Sequence, residues 1–159
     1  MTGIKSNKIP LLFILISFNL AIISCKKDDV ATADIIYTLT GNANGGQEAP
    51  NRVTTTASGT ITGTYNKNTS ILNYTITWTG LSAAPVAMHL HSAADPGIAA
   101  PIKIPINNFT AAPSGTITKT DTLKTDVDRA DFLLGKWYYN LHTPSNPGGE
   151  IRGQIYPTR

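Results

Sequence analysis

Short segments in which apolar and polar residues alternate fill most of the chain from residue 34 onward. In the clearest of them, Ile71 to Thr79, every second residue is large and apolar: Leu72, Tyr74, Ile76 and Trp78. A period of two is the pattern of a β-strand with one buried face. Gly, Pro and Asn separate seven or eight such segments, which predicts an all-β, antiparallel sandwich.

One segment has helical spacing instead. Residues 125–134 begin with Thr125, a good N-cap, and Asp128 stands three residues later as in a capping box. Gly135 follows the last apolar position, where a glycine commonly ends a helix. We therefore expect one short helix near residues 125–134.

The C-terminal stretch 135–156 predicts a hairpin with two different faces. Trp137, Tyr139 and Leu141 alternate with polar residues on the first strand, and Ile151 and Ile155 do so on the second. The opposite face carries the polar and titratable side chains Asn140, His142, Glu150 and Arg152. Two interpretations remain open for Asn140, Glu150 and Arg152: a structural polar network, or a binding site in which the planar guanidinium of Arg152 holds a ligand carboxylate.

The N-terminus has the layout of an export signal. Lys5 and Lys8 precede an apolar run that ends at Ile23, Ser24 and Cys25. This ending resembles the lipobox of bacterial lipoproteins, which implies Sec export, removal of residues 1–24 and lipidation of Cys25. Residues 25–33 are then a flexible tether, and the protein is anchored in the outer membrane or at the cell surface. A transmembrane anchor with an incidental cysteine is the alternative.

Composition narrows the classes of function. Two of the 13 cationic residues precede Cys25, so 11 remain against 10 acidic residues, and no basic patch indicates nucleic-acid binding. A single cysteine cannot form an internal disulfide. No Gly-x-Ser-x-Gly motif is present. We therefore expect a non-enzymatic protein without a required cofactor.

Two regions carry a resemblance to a known family. The segments are 87–91 (AMHLH) and 134–155, which contains LGKWYYNLHT and NPGGEIRGQI. They resemble the CHRD domain, named for chordin and common in bacterial secreted proteins. The resemblance implies an immunoglobulin-like β-sandwich over residues 34–157. It also implies a binding or structural module whose partner is an envelope or extracellular protein or a polysaccharide.

A more distant similarity concerns metal chemistry. Copper/zinc superoxide dismutases also have a His-x-His strand followed by a later histidine and an Asn-x-Gly-Gly segment with an arginine nearby. The matching residues here are His89, His91, His142, 146–149 and Arg152. This implies, as an alternative function, a copper or zinc site at the three histidines. The chain has no fourth histidine, so dismutase activity is not expected. Otherwise the three imidazoles hydrogen-bond to Asn140, Glu150, Arg152 or loop backbone.

Overall fold

A computed structural model describes residues 2–3 and 33–159 of the chain. Residues Ala33–Arg159 form one compact unit that contains the whole hydrophobic core described below. Cys25, the predicted signal peptide and most of the predicted tether lie outside the described residues. Among the residues that are described, no helix is long and apolar enough to cross a membrane.

The described unit contains nine strands, one α-helix and a short 3-10 helix at Gly45–Gln47. The helix, α1, spans Asp126–Leu133. The strands are β1 Ile36–Asn44, β2 Ser58–Asn66, β3 Ile71–Thr79, β4 Ala87–His91, β5 Ile102–Pro105, β6 Gly115–Thr122, β7 Tyr138–Thr143, β8 Asn146–Gln154 and β9 Tyr156–Thr158. The predicted all-β class is confirmed.

All strand pairs are antiparallel and belong to one curled sheet. Its order is β5-β4-β7-β8-β1-β2-β3-β6, and β9 pairs with β1 beside β8. Strand β1 links the β5-β4-β7-β8 half of the sheet to the β2-β3-β6 half. On one edge of β1, Asn44 pairs with Arg152 of β8, and the other edge of β1 pairs along its whole length with β2. The hydrogen-bonded ladder is therefore continuous, and a sandwich of two separate sheets is not confirmed.

The alternating apolar residues meet inside the curl. Those of β3 are buried as the pattern predicts, and Trp78 is 1 % exposed. They pack in one cluster with residues from both halves of the sheet, including Leu39, Ile61, Leu90, Trp137, Tyr139 and Ile151. Burial of these side chains is the main force that holds the curl closed.

Helix α1 follows the predicted cap. Thr125 has an extended backbone, and its hydroxyl accepts a 3.0 Å hydrogen bond from the backbone N–H of Asp128. Gly135 follows the helix with φ +71°, a conformation that glycine adopts without strain. The short helix leads the chain into β7, and so positions the polar face of the C-terminal hairpin.

Candidate functional site

Strands β4, β7 and β8 lie side by side and place their polar residues on one face. In the antiparallel register His89 stands opposite Asn140, and Asn140 stands opposite Arg152. This face is not solvated, because the loops that pack on it leave most of its side chains less than a tenth exposed: Tyr138, Asn140, His142, Glu150, Arg152 and Gln154. Strand periodicity thus located a polar face, and the loops convert it into a buried polar layer.

The three predicted histidines come together at one end of this face. Nδ1 of His89 lies 3.0 Å from Nε2 of His142, and the nearest ligand atoms of all three rings lie within 4.8 Å of one another. His91 and His142 are buried, whereas His89 is half-buried and lines a cleft of about 410 Å³. The cluster is therefore reachable from solvent on the His89 side.

Backbone carbonyls fix the protonation of the two buried rings. Nδ1 of His91 donates to the carbonyl of Ala100, and Nδ1 of His142 donates to that of Pro147, both at 2.9 Å. A neutral imidazole carries hydrogen on one nitrogen only, so both rings present a lone pair at Nε2. The side-chain oxygen of Asn140 lies 3.0 Å from both Nε2 atoms. An unprotonated Nε2 cannot donate to that oxygen, so we assign the amide in its flipped orientation, in which the NH₂ group donates one hydrogen to each ring.

The electrostatics keep the three imidazoles neutral. Burial lowers the pKa of all three rings, and for His89 burial together with the neighbouring His142 and His91 lowers it to about 4. A neutral imidazole with an unprotonated Nε2 is the form that binds copper or zinc. A tetrahedral zinc ion holds its nitrogen ligands at about 2.0 Å and thus about 3.3 Å apart. The widest separation here exceeds that value, so metal binding requires the rings to move closer.

Glu150 occupies a separate position and does not contact the histidines in the described structure. Its carboxylate is fully buried and accepts four hydrogen bonds: from Ser82 N–H at 2.9 Å, Ser82 Oγ at 2.5 Å, Thr143 at 2.7 Å and Thr55 at 3.0 Å. Burial pushes its pKa up, but these hydrogen bonds outweigh burial and lower it. The carboxylate therefore joins two distant loops to β7 and β8.

Arg152 is 2 % exposed and lies on the ring of Tyr138, with the guanidinium carbon 3.5 Å from the ring centroid. It donates to the carbonyls of Ile98 at 2.8 Å and Asp95 at 3.4 Å. The ring of Tyr138 also stacks on His91, 4.6 Å between centroids. Glu150 and Arg152 share a face but are not joined by a salt bridge among the described residues.

Glu48 is a buried carboxyl that strand periodicity did not identify. It is 5 % exposed, and its Oε1 has no hydrogen-bond partner among the described residues. Burial raises its pKa to about 7, although the charge of Arg152 opposes the shift. The sequence around Glu48 shows only a glutamate in a loop that contains Gly and Pro. Its burial could not be predicted locally, because it depends on the distant Gly149, whose missing side chain leaves room for the carboxyl.

The geometry defines an all-β domain that carries a loop-covered polar layer on one face of β4, β7 and β8. The family model of the CHRD domain matches residues 39–155, and the chain belongs to that family. No curated protein and no solved structure matches the chain.

Proposed function

We propose that this protein is a lipid-anchored module of the cell envelope that binds a partner without catalysing a reaction. The observation that carries the proposal is the polar layer on β4, β7 and β8, which is buried and held by hydrogen bonds, together with Glu48 in the loop after β1, whose buried Oε1 has no partner within residues 33–159. A rigid polar layer with an unmet hydrogen-bonding demand is a preorganised binding site. Its partner is an envelope or extracellular protein or a polysaccharide.

In this proposal the two halves of the curled sheet correspond to the two layers of the predicted sandwich. Strands β5-β4-β7-β8 form one layer and β1-β2-β3-β6 the other, since Leu90 and Ile151 share a core with Ile61 and Ile76. The loops over β4, β7 and β8 then form the face that is available to the partner.

The anchor at Cys25 is tested in cells. Wild-type protein and a Cys25→Ser variant are labelled with an alkyne analogue of palmitate and separated into soluble and membrane fractions. We expect label and membrane association for the wild type and loss of both for Cys25→Ser. Labelling that survives in Cys25→Ser would refute lipidation at Cys25. Cys25→Ala is the second variant, because alanine has no hydroxyl group that could accept the lipid in place of the thiol.

Copper or zinc binding at His89, His91 and His142 is the second candidate function. It is favoured by the two carbonyl contacts, because a backbone carbonyl on the far ring nitrogen is the usual support of a metal-ligating histidine. Asn140 opposes it, since the amide supplies both Nε2 atoms with a hydrogen-bond donor. The Asn140 amide and a metal ion compete for the Nε2 lone pairs of His91 and His142. The stronger of the two interactions decides whether the histidines are part of the scaffold or form a metal centre.

Calorimetric titration of residues 26–159 with copper and zinc tests this second function. His89→Ala is the main variant, because the half-buried ring can be removed with little effect on the core. One-to-one binding that His89→Ala weakens by at least about tenfold supports a metal centre. Absence of binding, or equal binding by both proteins, removes the metal function and leaves the histidines as part of the scaffold.

A further inference from the structure

A second cleft, of about 340 Å³, lies beside the buried end of Arg152. Its walls come from the loop after β1, the loop after β4 and strand β8. The polar groups in its lining are Gln47, Glu48, Arg52, Arg152 and Gln154, and the remaining lining residues are glycines and prolines. A cleft with this lining suits a polar ligand and offers little to an apolar side chain.

Glu48 brings a buried carboxyl group to the lining of this cleft. Its Oε1 is buried and has no donor within the described part of the chain. Its position is enforced from behind, since any side chain at Gly149 would overlap the carboxyl. A buried carboxyl group with an unpartnered oxygen is costly, so a ligand that donates a hydrogen bond to the part of it that lines the cleft stabilises the group.

Arg152 brings a buried positive charge to the cleft. A guanidinium has five N–H donors, and three hydrogen bonds from Arg152 reach acceptors in residues 33–159: the carbonyls of Ile98 and Asp95 and the side-chain oxygen of Gln154. No carboxylate in the described residues forms a salt bridge with it, and the exposed Arg52 adds a second cation at the rim. The cleft therefore contains more positive than negative charge.

We propose that this cleft binds a small hydroxylated carboxylate, either a free hydroxy acid or the terminal acid sugar of a polysaccharide. This deepens the proposed binding function and rests on it. The ligand carboxylate accepts hydrogen bonds from the planar fork of the exposed Arg52 at the rim, and the buried positive charge of Arg152 attracts it. A neighbouring hydroxyl donates to the carboxyl group of Glu48. A peptide is less well matched, because the lining has no apolar pocket for a side chain.

The test is calorimetric titration of residues 26–159 with D-glucuronate, alongside acetate, D-glucose and N-acetylaspartate. We expect saturable binding of glucuronate, at least about tenfold weaker binding of acetate, and none of glucose. Titrations with methyl glucuronide and with malate show which kind of ligand the cleft takes. Tighter binding of methyl glucuronide indicates the terminal acid sugar of a polysaccharide, and tighter binding of malate indicates a free hydroxy acid. Equal affinity for N-acetylaspartate would overturn the proposal in favour of an acidic peptide.

Two variants assign the contacts. Arg52→Gln removes a rim cation and should weaken glucuronate binding about three- to tenfold, whereas Lys67→Gln, an exposed cation outside the cleft, should leave it unchanged. Glu48→Leu removes the hydroxyl acceptor along with a negative charge. This substitution should weaken the binding of glucuronate while the binding of acetate stays equal or becomes tighter. The ratio of the glucuronate affinity to the acetate affinity therefore falls about tenfold.

The proposal is overturned if glucuronate shows no saturable binding up to about 10 mM, or if the affinity ratio is unchanged in Glu48→Leu. Membrane association through Cys25 is measured independently of this titration. An anchored protein without glucuronate binding would leave the envelope module standing with another partner, whereas loss of the anchor alone would leave the cleft assignment intact.

Discussion

The same substitution in the two buried glutamates should have opposite effects on stability. Glu150→Gln keeps the shape of the side chain but removes the charge from an acceptor of four hydrogen bonds. The hydroxyls of Ser82 and Thr143 can rotate to accept from the new NH₂ group, so the geometry survives and the charge assistance is lost. Hydrogen bonds to charged groups contribute more than neutral ones, and we expect a loss of about 2 kcal/mol at neutral pH.

Glu48→Gln is the matched variant. Burial raises the folded-state pKa of Glu48 from 4.5 to about 7, which corresponds to about 3 kcal/mol between its two protonation states. The folded protein therefore binds more protons than the unfolded chain between these values. The stabilisation that comes from this extra proton binding by Glu48 is fully present below pH 4.5 and is lost as the pH rises through about 7. Glu48→Gln should be more stable than wild type at pH 8.5, by up to about 3 kcal/mol, and this difference should shrink towards pH 4.5.

Urea unfolding followed by tryptophan fluorescence measures both variants, because Trp78 and Trp137 are buried and report on the core. Titrations of residues 26–159 at pH 5 and pH 8.5 give the free energies of unfolding. Destabilisation by Glu48→Gln at pH 8.5, or a change of less than about 0.5 kcal/mol in Glu150→Gln, would refute the assignment of one unpaired and one fully satisfied carboxyl.

Three further substitutions test other features by the same unfolding assay. Asn140→Leu should lower the free energy of unfolding by about 3 kcal/mol, because two buried imidazole nitrogens lose their donor, and retention of wild-type stability would refute the bridging role. Gly149→Ala should cost about 2 kcal/mol, since φ is +128° and a methyl group displaces Glu48. Thr125→Ala should cost about 1 kcal/mol through loss of the helix cap, and an unchanged midpoint would contradict that cap.

The fold was accessible from the sequence because its signals are local. The alternation in Ile71–Thr79 predicted β3, which the structure pairs antiparallel with β2. The Thr125 cap placed α1 to within a residue. The spacing of His89 and His91 put both rings on one face, and the pairing of β4 with β7 brings His142 to them.

The covering of the polar face was not accessible, because it depends on contacts between residues far apart in the chain. Glu150 bonds to Thr55 and Ser82, which are 95 and 68 residues away. The loops that supply these contacts have no periodicity from which their course could be predicted. The i, i+2 spacing of Glu150 and Arg152 correctly predicted a shared face, but the side chains contact different loops.

Tyr138 joins the two candidate sites, because its ring contacts both Arg152 and His91. Its hydroxyl accepts from the backbone N–H of Ala100 at 3.1 Å, in the loop whose carbonyl fixes the His91 ring. Tyr138→Phe keeps the stacked ring and should cost about 1 kcal/mol, whereas Tyr138→Leu removes the ring and should cost about 3 kcal/mol. Tyr138→Leu should also weaken glucuronate binding, since the guanidinium of Arg152 loses the surface that orients it. Equal losses in both variants would instead make the hydroxyl contact with Ala100 the element that holds the loop over both sites.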